Sequence, residues 1–259
     1  MKKFMVLVIV LTLAAGIVAA QEEEDGGIGL TAGLEFGVAG VNVEDGAVPY
    51  LTPGLVYENS FGDFDVAAEV DYTLNFADGV PQSLFAEEEF GYNLSLGDIH
   101  GLTFILHNEN DIVTVSDFGV ANEDGSILEP SVTYTLGLNP GDFYATAGLP
   151  LTYLDDFALG AYGTLGFGFS FGLGLEATFN FALAEEAGYD GTDFLVSYGN
   201  DQFYGEVELN IDSEFKTLTI TPEFDYFFKN FIFFVKAEFD GIGGDEVSIT
   251  PALGVTYSF

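Results

Sequence analysis

Apolar and polar side chains alternate with a period of two residues along almost the whole sequence. Between residues 64 and 76, apolar residues occupy the even positions, while carboxylates, threonine and asparagine occupy most of the odd ones. Successive side chains of an extended backbone point to opposite faces, so this pattern predicts β-strands with one apolar and one polar face. Beyond the N-terminal segment there is no long helical stripe and no apolar run of 18 residues, so helical membrane spans are not expected.

Clusters of Gly, Asn, Asp and Pro separate the alternating runs and predict antiparallel hairpins. The number of such runs predicts about fourteen strands. Twelve strands are the alternative, because residues 102–120 can be read as one irregular strand. The uninterrupted alternation over residues 157–183 either projects beyond a bilayer or contains a tight turn near Gly172, and the longest connection is expected at residues 185–192. We place about fourteen strands, beginning near Ile28, Val48, Phe64, Ser83, Leu102, Ile112, Ile127, Phe143, Phe157, Asp193, Gln202, Phe215, Asn230 and Glu246.

The N-terminus has the order of regions that is typical of a secretory signal peptide. Lys2 and Lys3 precede an apolar run over residues 4–18, and small residues end at Ala20. An uncleaved anchor is the alternative, although the apolar run is short for a helical span. We therefore predict a signal peptide over residues 1–20, a short acidic segment over 21–27 and a single β-domain over 28–259.

The sequence is acidic and apolar at the same time. It carries 42 acidic residues, no arginine and a formal net charge of −37, and 48% of its residues are hydrophobic. A nucleic-acid partner is excluded because phosphate binding needs a cationic surface. Such charge and apolar content coexist in one folded chain only if they are segregated, as the alternation segregates them. There is no cysteine, hence no disulfide and no acylation site. A habitat-wide acidic bias is an alternative origin of the charge.

A transmembrane barrel and a soluble sandwich both fit alternating strands, and two features favour the barrel. Nearly every strand carries a Phe- and Leu-rich face, and the final residues read VSITPALGVTYSF, with Tyr257 and Phe259 on the apolar face. This ending resembles the C-terminal signature of Gram-negative outer-membrane β-barrels. The resemblance implies an all-β, antiparallel up-and-down transmembrane barrel in the cell outer membrane, contact with outer-membrane lipid and recognition of Tyr257 and Phe259 by the barrel-assembly machinery.

The polar face supplies the candidate site. So many carboxylates buried without water would each need a partner or a proton, so we expect a water-filled interior that concentrates cations. Small inward residues over 158–182 leave room for water, although the glycines among them also fit two other roles: they ease barrel curvature, or they let another inward side chain lie across them. The predicted pore-lining residues are Glu35, Asp65, Glu69, Asp71, Glu176, Glu206, Glu208, Glu223, Asp225, Lys236 and Glu238.

The pattern thus predicts a porin-like channel for passive diffusion of small cationic or neutral solutes. The alternative is a non-conducting barrel with a structural, surface or adhesion role. A hydrolase is disfavoured, because only His100 and His107 could serve as a catalytic base and His107 falls in an apparent surface turn, so we assign no catalytic residue. The acidic clusters at 108–111 and 122–125 lack EF-hand spacing, so no cofactor or metal site is assigned and Ca²⁺ there is a minor alternative. The sequence indicates no oligomeric state.

One residue departs from the parity rule. Glu88 occupies an apolar position between Ala86 and Phe90. A charge that faces lipid at the bilayer midplane costs about 2 to 4 kcal/mol. We therefore expect Glu88 near the outer interface or at a bulge, where the apolar band has ended.

Overall fold

The structure is a computed structural model that describes residues 29–39, 47–76, 82–97, 99–115, 119–121, 126–153, 157–183, 187–244 and 247–259. The expected signal peptide, the acidic segment 21–27, Ile28 and the cluster 122–125 lie outside these ranges. Within them, no helix is long and apolar enough to cross a membrane.

The described chain is all β. The strands in chain order are β1 Gly29–Ala39, β2 Val48–Phe61, β3 Phe64–Asn75, β4 Gln82–Ser95, β5 His100–Val115, β6 Gly119–Ala121, β7 Ser126–Leu138, β8 Gly141–Gly148, β9 Leu151–Tyr153, β10 Ala158–Phe169, β11 Leu173–Ala182, β12 Gly188–Gly199, β13 Phe203–Asp212, β14 Leu218–Phe228, β15 Phe231–Ile242 and β16 Ser248–Ser258.

These strands close into one antiparallel barrel. Each long strand pairs with the next, and β1 pairs with β16 from Thr31↔Ser258 to Gly37↔Ala252, which closes the sheet. The three-residue segment β6 pairs with the last residues of β5. The short strand β9 continues the course of β8 beyond Pro150 and pairs, as β8 does, with β7 and β10. The barrel wall in the described ranges therefore has fourteen strands. This confirms the fold class and the strand number that the sequence predicts.

Two strand assignments from the sequence are wrong, and their errors cancel. The predicted strands at Leu102 and Ile112 are one strand, β5, whose polar stretch 107–111 was interpreted as a turn. Side chains in that stretch still alternate between the two faces of the strand, but they are polar on both faces. On the outer face, Asn108 donates to Glu88, and Asn110 accepts from Ser126. Conversely, residues 157–183, counted as one strand, form β10 and β11. The tight turn near Gly172, one of the two alternatives for this stretch, is confirmed, and Gly172 has a φ of 98° there.

The expected long connection at residues 185–192 is also wrong. Strand β12 begins at Gly188, so most of that range belongs to the wall. The β11–β12 register shifts between Asn180 and Phe181, opposite a point where Gly191 takes a φ of 145°. This irregularity interrupts the period-two pattern, which explains why the sequence resembles a loop there.

The two ends of the barrel differ. At the end that carries Gly29 and Ser258, the connections are tight turns such as Gly62–Asp63 and Lys229–Asn230. At the other end the chain takes more residues to return, for example between Ala39 and Val48. Short turns at one end and longer loops at the other are typical of outer-membrane barrels, in which the short turns are periplasmic.

The outer surface is apolar. Large hydrophobic side chains that stand outward are widely exposed, among them Leu253 at 59%, Phe90 at 55% and Val235 at 53%. By contrast, buried hydrophobic residues are few where burial is described, and they include Leu30, Leu74 and Ala252. The polarity of a soluble core is therefore inverted, with hydrocarbon outside and polar groups inside.

A belt of aromatic side chains surrounds the end with tight turns. Ring pairs there include Phe64 with Tyr92 at 4.9 Å between centroids and Tyr257 with Phe259 at 4.7 Å. Tyr257 also packs on Phe231 at 4.8 Å. Aromatic girdles of this kind mark the interfaces of transmembrane barrels.

Glu88 lies on the outward face, as its parity requires, and of the two expected settings, the outer interface or a bulge, the bulge is absent. Strand β4 pairs in unbroken register with β3 and β5 around it, opposite Ala68 and Asn108. Its carboxylate accepts a hydrogen bond from Asn108 at 2.7 Å, and the Asn108 amide oxygen accepts one from Tyr153 at 2.8 Å. A small polar cluster, rather than a break in the strand, therefore accommodates this charge.

Candidate functional site

The concave face of the barrel is the candidate site. On this face, side chains of next-but-one strands meet across a small residue of the strand between them. Lys236 of β15 reaches Glu35 of β1 across the position of Ala252, which is the register partner of both Lys236 and Gly37. The exposed apolar residues of the same strands, such as Leu34 and Val235, stand on the opposite parity, so Glu35 and Lys236 belong to the inward one.

All eleven predicted residues lie on the inward parity. They belong to six strands: β1, β3, β11, β13, β14 and β15. Whether they line a pore stays a prediction, but the structure shows which of them come together. Two groups form, one around Glu35 and one around Glu223, while Asp65, Glu176, Glu208 and Glu238 stand apart from both.

The first group surrounds the Glu35–Lys236 ion pair. The Lys236 ammonium nitrogen lies 2.6 Å from Oε2 of Glu35, and Oε1 of the same carboxylate accepts a hydrogen bond from the Tyr50 hydroxyl at 2.9 Å. Glu69 and Asp71 line the same cavity of about 630 Å³. One lysine thus faces several carboxylates, so the group keeps a net negative charge.

The second group follows one row across three strands. Glu206 of β13 is the register partner of Glu223 of β14, which in turn is the partner of Lys236. Asp225 lies two residues further along the same face, opposite Tyr204. Like charges on directly opposed positions repel each other, so these carboxylates need water or cations around them.

The remaining predicted residues occupy other levels of the barrel. Asp65, next to a tight turn, accepts hydrogen bonds from Ser60 at 2.6 Å and from Asn93 at 2.5 Å. Glu208 and Glu238 share a cavity of about 320 Å³ with Asp240 near the opposite end. The carboxylates are therefore spread along the height of the barrel and do not form a single constriction.

Four inward tyrosines each hold a glutamate. Their hydroxyl groups donate to carboxylate oxygens at 2.5 to 2.9 Å. A hydrogen bond to a charged group is stronger than a neutral one, so it fixes the position of the carboxylate on the wall. The pairs are Tyr50–Glu35, Tyr144–Glu176, Tyr162–Glu129 and Tyr204–Glu206.

Glycines on the neighbouring strands make room for these tyrosines. A Cβ atom at Gly166 would overlap the ring of Tyr144, which crosses β10 there to reach Glu176 on β11. In the mirror arrangement, Tyr162 crosses β8 at Gly148. The sequence suggested that glycines either ease curvature or let another side chain lie across them, and these two accommodate a side chain.

Sequence reasoning missed part of the inward face. The alternation of faces along each strand could have identified the omitted residues, because each is a direct neighbour of residues whose side chains face outward. They include His107, which lies 3.4 Å from Glu87 and 3.7 Å from Glu109. Other inward acids that were not predicted to line the pore include Glu58, Glu87, Glu89, Glu109, Glu129, Asp142, Asp193 and Asp240.

The expected surface turn at His107 is wrong, because His107 lies inside β5. His100 lies on the other face of the same strand, 2.6 Å from the Tyr134 hydroxyl. The two histidines therefore do not belong to one site. The cluster at 108–111 is likewise part of β5 and not an acidic loop. In the described ranges, no group of three or more His, Asp or Glu side chains is arranged to hold a metal ion.

Several solved structures are similar to this chain. They include a triple mutant of the porin from Rhodopseudomonas blastica, with a TM-score of 0.48, and two further mutants of that porin, with TM-scores of 0.46 and 0.47. Each is 10% identical in sequence, and each match covers 90% of this chain and 100% of the porin chain. No protein-family model matches the sequence, and neither does any curated protein.

Proposed function

We propose that this protein is an outer-membrane channel whose acidic, water-filled interior passes small solutes and prefers cations. The observation that carries the proposal is the inverted polarity of the closed barrel. Exposed Phe, Leu and Val side chains cover the outside, and carboxylates follow the inside from one end to the other. Each face then meets the solvent that suits it, lipid outside and water inside.

The height of the apolar surface supports a membrane location. Outward residues of β14 are apolar from Leu218 to Phe228, ten steps along the strand. At about 3.4 Å per step this is about 34 Å, and a strand tilt of about 40° reduces it to about 26 Å along the membrane normal. Outer-membrane barrels carry an apolar band of about 25 Å, so the surface has the height that such a membrane requires.

The shortage of inward bases supports a wet interior. Among the described residues, the inward ion pair joins Lys236 to Glu35, and the His107 ring lies near Glu87 and Glu109. The other inward carboxylates would pay a large desolvation cost in a dry interior, whereas water lowers that cost. A water-filled tube with excess negative charge attracts cations and repels anions.

Planar-bilayer recording tests this function. With a KCl gradient across the membrane, we expect an ohmic conductance and a reversal potential that favours K⁺ over Cl⁻. Within the second group of residues, the double substitution Glu206→Gln and Glu223→Gln should reduce the preference for K⁺ about two- to five-fold, because two fixed charges are removed from the same row. Glu88→Gln is the matched control, since it removes a carboxylate from the outer face and should leave the preference unchanged.

A correctly folded barrel that conducts no current would overturn the channel and favour a non-conducting structural or surface role. A reversal potential toward Cl⁻ would overturn the cation preference alone.

We also propose that Tyr257 and Phe259 are read by the barrel-assembly machinery. Both lie at the end of β16, and the Phe259 amide donates to the Leu30 carbonyl at 3.0 Å, beside the closing pair of strands. Phe259→Ala should reduce the amount of folded barrel in the outer membrane, whereas Phe171→Ala, at a tight turn of the same end, should not. Equal loss in both variants would contradict a specific signal.

A further inference from the structure

One cavity of the barrel interior combines carboxylates with aromatic rings. It has a volume of about 630 Å³ and is lined by inward residues of β1–β4, β15 and β16, including Glu69, Asp71, Phe85 and Phe234. Pockets that bind small molecules measure about 300 to 1,000 Å³. The cavity therefore has room for an organic solute and is much larger than a single monovalent ion requires.

Lys236 shows how this wall holds an ammonium group. Its nitrogen lies 2.6 Å from Glu35 and 5.8 Å from the centroid of the Phe234 ring. Phe234 lies across Gly254, the register partner of Glu35, so the ring and the carboxylate are neighbours by construction of the sheet. A cation within about 6 Å of a ring face gains from the ring quadrupole in addition to its ion pair.

The same cavity holds carboxylates and an aromatic ring at a second place, where, within the described ranges, no lysine nitrogen contacts the carboxylates. Asp71 and Phe85 are register partners on β3 and β4, and Glu69 lies two residues from Asp71 on the same face. In the described part of the chain, neither Glu69 nor Asp71 has a Lys or His nitrogen within 4 Å. A second position for an ammonium group, built from carboxylates and a ring, is thus left open to a solute.

We propose that this cavity binds organic cations, namely solutes that carry an ammonium group on an apolar body, with the ammonium at Glu69 and Asp71 and the apolar body against Phe85. The proposal rests on the proposed function in one respect, that solutes reach the interior. The ring distinguishes this class from metal ions, because a hydrated metal ion gains nothing from an apolar body and no metal-binding group is found in the described residues.

Isothermal titration calorimetry on the folded protein in detergent micelles tests the site without any need for conduction. The probes are butylammonium and its neutral counterpart 1-butanol. We expect butylammonium to bind and 1-butanol to bind at least tenfold more weakly. Phe85→Leu should weaken butylammonium binding about two- to five-fold through the lost ring, and Asp71→Asn with Glu69→Gln should weaken it at least tenfold.

Phe227→Leu is the matched control for the ring. Phe227 stands on the inward parity of β14 but does not line the cavity, so its replacement should leave the affinity unchanged. Should Phe85→Leu fold poorly, Phe85→Ile provides a second ring-free variant with the same expectation.

Equal binding of butylammonium and 1-butanol overturns the proposal, as does an affinity that the loss of the Phe85 ring leaves unchanged. The failure of the channel is recognised separately: a barrel that binds butylammonium in micelles but carries no current in a bilayer keeps this site and loses the transport function.

Discussion

The hydroxyl group of Tyr144 donates a hydrogen bond of 2.6 Å to Glu176, although the two residues lie on strands separated by β10. The tyrosine crosses β10 at Gly166, where a Cβ atom would overlap its ring. The position of a carboxylate on the interior wall thus depends on a residue with no side chain, on a strand that belongs to neither partner.

Gly166→Ala should therefore destabilise the barrel, because the added methyl group forces the Tyr144 ring away from Glu176. Overpacking of this kind costs about 1 to 3 kcal/mol. Urea unfolding in lipid vesicles, followed by tyrosine fluorescence, measures the change in the free energy of unfolding. Gly168→Ala is the control on the same inward face of β10, where an added Cβ has nothing within 4 Å. Equal effects of the two substitutions would contradict the crossing arrangement.

Sidedness can be measured directly because the chain has no cysteine. Single substitutions Glu69→Cys and Asp71→Cys place a thiol on the inward face of β3, and Val70→Cys places one outward. In lipid vesicles, a charged water-soluble thiol reagent should label the first two and fail to label the third. A reactive thiol at position 70 together with unreactive ones at 69 and 71 would reverse the assignment of the two faces.

The outward carboxylate of Glu88 should cost stability in a membrane. We expect Glu88→Leu to raise the free energy of unfolding by about 1 kcal/mol, because a charge leaves the lipid-facing surface and the position remains within an apolar row. Unfolding in vesicles measures this difference. Glu89→Leu, on the adjacent inward position, should bring no such gain. A loss of stability with Glu88→Leu would instead show that the bond with Asn108 outweighs the charge.

Lys236 is the only lysine on an inward position of the described strands, so its removal should strengthen the preference for cations. Lys236→Gln leaves Glu35 without its partner, and the reversal potential in a KCl gradient should shift further toward K⁺. The shift should shrink as the salt rises from 0.1 M to 1 M, because the Debye length falls from about 10 Å to about 3 Å. Lys229→Gln, in a tight turn, is the control. A shift toward Cl⁻ would count against an electrostatic origin.

The period-two pattern was sufficient to predict the fold, since it assigns a face to each side chain without any knowledge of the neighbouring strand. It failed where both faces of a strand are polar. Asn108 and Asn110 stand outward beside inward His107 and Glu109, so this part of β5 had the composition of a turn. It left two alternatives open at the tight turn between Phe169 and Leu173, because the alternation continues through that turn.

The contacts of the candidate site were less predictable than its faces. The alternation within β1 alone predicts that Glu35 stands inward. Its partner Tyr50 is set by the register of β1 with β2. Its partner Lys236 is set by the register of β16 with both β1 and β15. Register depends on turn lengths and on packing between strands, which a single sequence does not specify. The repeated use of glycine beneath tyrosine became visible only once those registers were known.

The pairing of β1 with β16 has a consequence for the order of folding. The hydroxyl groups of Thr31 and Ser258 meet at 3.1 Å although 227 positions separate them, compared with 14 positions for Thr164 and Thr178 in a hairpin. Four doublings of loop length raise the entropic cost of closure by only about 2 kcal/mol, but until this seam forms the sheet has two open edges that invite pairing with another chain. A circular permutant, opened in one of the longer connections and joined across the seam, would turn this contact between distant parts of the sequence into a local hairpin and leave every strand pair in place.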